Sequence, residues 1–82
     1  MMISMQTVNL VVLAEDIYKN QISSQKAYLE LKKYDQVDGR AAELVHFLYH
    51  YIADADIRAN DAEYRATQRK WLYDAIISLK PE

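Results

Sequence analysis

His46 and His50 stand four residues apart, with Asp54 one turn further on and Glu43 one turn before. On a helix these steps fall on one face, where two imidazoles can reach a single metal ion. This row is the one arrangement in the chain whose residue types and spacing suit chemistry. The chemistry would be a Zn²⁺ or similar ion, or a small ligand, held by His46, His50 and Asp54. No second cluster of ligands follows to close such a site. Neither histidine has a nucleophile beside it in sequence, so no catalytic set is expected. The simpler expectation is a solvated outer face and no cofactor.

Two other groups of charged residues invite the same scrutiny. Asp54, Asp56, Asn60, Asp61 and Glu63 have the composition of a calcium loop but not its spacing. Arg58 takes the third ligand position, Ala59 replaces the turn glycine, and Arg65 falls at position twelve. Arg65 and Arg69 follow Asp61 at successive i+4 steps, with Lys70 and Tyr73 close by. With Arg58 they could serve a nucleic-acid-associated regulator by contacting phosphates or bases. The same residues can instead form i, i+4 ion pairs on a solvated face, worth roughly a few tenths of a kcal/mol each. Twelve acids against ten basic residues give a net charge of −2. That balance argues against general affinity for nucleic acid, which needs a basic surplus. The charge is uneven, however. Residues 18–33 carry four lysines against Glu30, whereas residues 34–63 carry seven acids against Arg40 and Arg58.

The elements that position these residues read as helices. The central one is expected over Ala41–Ile57, with Ala41, Leu44, Val45, Leu48, Ile52 and Ala55 forming a core-facing stripe. Phe47 and Tyr51 flank one edge of it and Tyr49 the other. Before it, the first helix is expected to start between Ser4 and Val8 and to run to about Lys33. It shows two apolar stripes. One is Ile3, Leu10, Leu13, Ala14, Ile17, Tyr28 and Leu31. The other, Val11, Tyr18, Ile22 and Leu29, is spaced by 7, 4 and 7 like a heptad seam. Two stripes imply contact on two sides, so the second is expected to meet another copy of the chain. The β-branched Val8, Val11 and Val12 could open as a strand, but Ala14–Leu31 continues a helix without a breaker. Asn20–Gln25 is its weakest stretch, because Asn and Ser compete for backbone hydrogen bonds.

Tyr34–Gly39 holds the only glycine and reads as a loop, with Asp35 or Asp38 capping the next helix. Asn60 and Glu63 have the spacing of a capping box, so a turn is expected near residues 58–60. The last helix, Asp61–Leu79, puts Tyr64, Trp71, Leu72, Ala75, Ile76 and Leu79 on one face, with Gln68 among them in need of a partner. Pro81 ends it.

The chain of 82 residues is 51% apolar, with one Gly, one Pro and no Cys. That composition fits one small domain and disfavours disorder, turn-rich sheet and a disulfide scaffold. The N-terminus lacks a basic segment, and its apolar run is too short for export or for spanning a bilayer. A cytoplasmic chain is expected, without membrane contact. Seven tyrosines suit interfaces, since each offers a large contact area with a polar tip. Tyr49, Tyr51, Tyr73 and Ile77 are the expected partner-binding residues.

The layout is similar to that of small dimeric three-helix chorismate mutases, which have a long first helix and a short loop before the second. The resemblance is of topology alone. The family's site grips two carboxylates with Arg and Lys side chains, including Arg on the first helix, and this first helix has no Arg. The expectation is an all-α, three-helix antiparallel bundle with a long first helix, or four helices if that one breaks. It is expected to form a homodimer and to act as a non-enzymatic interaction module, a small regulator, adaptor or inhibitor.

Overall fold

A computed structural model describes residues 5–34, 36–37 and 39–79. Ile3, Ser4, Asp35, Asp38 and Pro81 lie outside the described residues, and with them the expected cap at Asp35 or Asp38 and the stop at Pro81. The chain is all-helical, with no strand among the described residues. Its helices are α1 (Met5–Tyr18), α2 (Ser24–Leu31), α3 (Gly39–Ala53), α4 (Ala55–Asn60) and α5 (Ala62–Leu79), with a 3₁₀ turn over Lys32–Tyr34.

The long first helix does not form. It breaks at the stretch where Ser and Asn compete with the ladder, and Asn20 takes a left-handed φ of 59°. Around it, the Gln21 N–H donates to the Asp16 carbonyl at 2.8 Å and the Asn20 N–H to that of Ile17 at 3.2 Å. These are the paired bonds of a Schellman cap, and Asn is the residue after Gly that best tolerates its left-handed position. Ser23 then restarts the chain, its hydroxyl accepting from the Lys26 N–H at 3.2 Å. The valines of α1 are helical, as Ala14 onward requires. Gly39 admits the chain to α3 at φ 61°. Its place is set by that backbone angle, because nothing lies within 4 Å of where a Cβ would sit.

The expected Ala41–Ile57 helix also divides, at Asp54. In an unbroken helix the Tyr51 carbonyl would accept from the N–H four residues on. Here the Arg58 guanidinium, stacked 3.6 Å over the Tyr51 ring, donates to that carbonyl instead. A side chain inserted into the ladder is a sufficient cause for a sharp break. The next cap belongs to Asp61 rather than Asn60. Asp61 Oδ1 accepts from the Tyr64 N–H at 3.0 Å, while Asn60 turns its amide back onto the Asp56 carbonyl at 2.9 Å.

The core is built on one leucine from each of four helices, Leu10, Leu31, Leu48 and Leu72, all fully buried. Around them lie Val11, Leu13, Ala14, Ile17, Ala27, Leu44, Val45, Tyr51 and Ile76. Helix α1 packs on α5, α2 on α3, and α3 on α5. Three side chains depart clearly from their expected places, the first being Tyr28, which is 46% exposed rather than in the core-facing stripe. Tyr51 is buried in place of Ile52, which is only partly covered. Trp71 is 55% exposed, because the buried line on α5 runs through Gln68, Leu72 and Ile76. Among the described residues no helix is long and apolar enough to cross a membrane.

Candidate functional site

Helix α3 does bring His46 and His50 together. Their Nε2 atoms are 3.2 Å apart and both side chains are exposed. A tetrahedral ion with bonds of about 2.0–2.1 Å would hold two nitrogens roughly 3.3–3.4 Å apart, so the pair has the span of a two-nitrogen chelate. Asp54 does not join it. Its Oδ2 accepts from the Tyr64 hydroxyl at 2.7 Å and from Gln68 Nε2 at 3.1 Å, on the side facing α5. Among the described residues, no group of three or more His, Cys, Asp and Glu side chains is placed to hold a metal. The chelate offers two ligands, and any others would come from another molecule.

The Asp54 carboxylate belongs to a polar bracket that joins α3, α4 and α5. Gln68, buried within the apolar face of α5, accepts from Arg58 Nη1 at 2.9 Å and donates to Asp54 and to the Tyr64 hydroxyl, the latter at 3.1 Å. The hydrogen bond to Asp54 holds the Tyr64 phenol above its usual pKa. Burial and the Asp54 charge act in the same direction, while the Arg58 charge and the Gln68 bond oppose them. Arg58 is thereby spent inside the subunit. The fourth residue of the expected basic group is thus an internal brace.

The other three members, Arg65, Arg69 and Lys70, line a groove of about 580 Å³ beside the end of α1, together with Tyr18, Ala66 and Tyr73. The expected Asp61–Arg65 ion pair does not form, since Asp61 caps α5 and Arg65 donates to the Arg58 carbonyl at 3.3 Å. Arg69 stacks 4.2 Å over the Tyr18 ring and donates to the Tyr18 carbonyl at 2.9 Å. A cation at the C-terminal carbonyls of a helix is favourably placed against its dipole. Tyr18 also meets Tyr73, their rings 6.0 Å apart. Sequence spacing could not reveal this groove, because its two walls are 51 residues apart in the chain.

The expected self-association residues are dispersed. Val11 is buried, Tyr18 faces the groove, Ile22 is partly covered against the core, and Leu29 is 55% exposed on α2. With α1 and α2 separate, these four do not lie on one continuous helix. Of the expected partner-binding residues, Tyr73 and Ile77 are about half exposed on α5. Tyr49 packs edge-on against Tyr28 at 5.5 Å, and Tyr51 is inside the core. Met5, Val8 and Val12, none of them among the expected binding residues although Val8 and Val12 widen the apolar surface of the first helix in sequence, leave exposed apolar side chains on α1. The i, i+3, i+7 spacing that places them together was legible, but it was masked by the equally apolar inner stripe.

Compared with protein-family models, curated proteins and solved structures, the chain matches none.

Proposed function

We propose that the protein is a non-enzymatic interaction module that pairs with itself through the outer side of α1 and α5. The observation that carries this reading is the pair of exposed apolar sets on two helices that pack together: Met5, Val8 and Val12 on α1, Tyr73 and Ile77 on α5. Single exposed apolar residues are ordinary, but several on each of two packed helices suit an interaction surface. In this reading the helices form an antiparallel bundle and two copies meet across these residues. The expected seam through Val11 and Ile22 is replaced by its outward neighbours, because Val11 is already covered within the subunit. A chain of 82 residues gains more from such pairing than a larger one, since its own core is small.

The test is the solution mass by size-exclusion chromatography with light scattering over a hundredfold range of concentration. A dimer, or a mass that falls on dilution, is expected. A single mass of 9.6 kDa throughout would refute self-pairing.

A further inference from the structure

The groove between the end of α1 and the first three turns of α5 combines features that point to an anionic occupant. Its lining holds three cationic side chains, Arg65, Arg69 and Lys70, and no acid. Arg65 and Arg69 each spend one donor on a helix-end carbonyl, and a guanidinium has five. The remaining donors and the Lys70 ammonium are left to meet a ligand or water. Tyr18 and Tyr73 close one end with aromatic surface and hydroxyl groups.

We propose that this groove docks an acidic, extended segment of a partner protein. The proposal rests on the interaction reading and names a second surface for it, which adjoins the apolar outer side at Tyr73. Ala62 and Tyr73, the outermost residues of its α5 wall, are eleven residues apart, which spans about 16 Å at roughly 1.5 Å per residue. An extended peptide rises about 3.3 Å per residue, so the groove matches about five residues. Carboxylates along such a segment would meet Arg65, Arg69 and Lys70 in turn, and an aromatic or apolar residue would reach the two tyrosines. Nucleic acid fits less well. Three cations neutralise few phosphates, and the groove matches a short segment rather than a long backbone.

The experiment uses the full chain and fluorescence anisotropy of three labelled probes: hexaglutamate, hexaserine and a six-nucleotide oligothymidylate. Hexaglutamate is expected to bind at 20 mM salt, to weaken as salt rises, and to bind at least tenfold better than hexaserine. The variant R65E/K70E changes two exposed side chains and is expected to lose at least tenfold while keeping its circular dichroism. The distant reversal K32E/K33E, of the same charge, is expected to lose less than threefold. Equal loss from both reversals would reduce the effect to net charge and overturn the site. So would oligothymidylate binding as tightly as hexaglutamate, or no binding of hexaglutamate at all. A chain that binds the peptide but stays monomeric contradicts the pairing reading alone. A dimer that ignores the peptide contradicts the groove alone.

Discussion

Replacing Gln68 by Leu tests whether the bracket between α3, α4 and α5 holds the second half of the molecule. Gln68 makes three side-chain hydrogen bonds, to Arg58, Asp54 and Tyr64, while 4% exposed. Two of these partners are charged, and such bonds are worth about 1.5–3 kcal/mol each against about 1 kcal/mol for the neutral one. The gross loss is therefore about 4–7 kcal/mol. Arg58, Asp54 and Tyr64 are only partly buried, so water can replace some of the lost bonds. Leu also gains about 1 kcal/mol by burying apolar surface. The net loss expected is about 2–3 kcal/mol, read by urea unfolding followed by circular dichroism. In a domain of this size that lowers Tm by roughly 10–20 °C. A change below about 0.5 kcal/mol would refute the reasoning, since Gln68 would then be tolerated in the core rather than required by its partners.

Asn20→Ala should cost about 1 kcal/mol in a thermal melt, and Asn20→Gly should cost nothing, because only the alanine meets the left-handed penalty at φ 59°. Equal melting of all three would remove the cap as the cause of the break between α1 and α2. Leu48→Ala, which empties the centre of the core, should cost about 2–5 kcal/mol in the same assay. Tyr64 holds its proton above the pH at which the unfolded chain releases it. Its stabilising share is therefore full below about pH 10 and is lost as pH rises through the folded pKa. An ultraviolet titration of Tyr64→Phe subtracted from the parent should show this phenol ionising late, and Asp54→Asn should bring it back towards the usual value. Zinc added to the chain should reach His46 and His50 alone, so His50→Gln should abolish any heat seen by calorimetry, whereas Asp54→Asn should leave it unchanged. Loss of that heat in Asp54→Asn would return Asp54 to the ligand set.

How much of this was legible in the sequence depends on how local each cause is. The helical class follows from apolar spacing and the near absence of Gly and Pro. The weak stretch at Asn20–Gln25 is visible because Asn and Ser advertise their competition with the backbone. That it breaks the helix, rather than bending it, depends on Asn20 accepting a left-handed angle. The division at Asp54 had no local signal. It arises because Arg58 reaches back to the Tyr51 carbonyl while Gln68, ten residues further along, accepts from the same Nη1. The row Glu43, His46, His50, Asp54 was correct as a helical face through His50, and the same division swings Asp54 away to Tyr64. Tyr18 and Arg69 meet only because α1 packs on α5, which no spacing within either segment encodes.

Self-pairing is proposed through the outer side of α1 and α5, so the most direct measurement is the mass of Val12→Lys/Ile77→Lys beside the parent chain. Both residues are about half exposed, so the two lysines should leave the helicity of the subunit unchanged, and melting should fall only by what pairing contributed. The expected result is a parent of twice 9.6 kDa and a variant of 9.6 kDa at the same concentration. A variant that stays dimeric, or a parent that never dimerises, would contradict it.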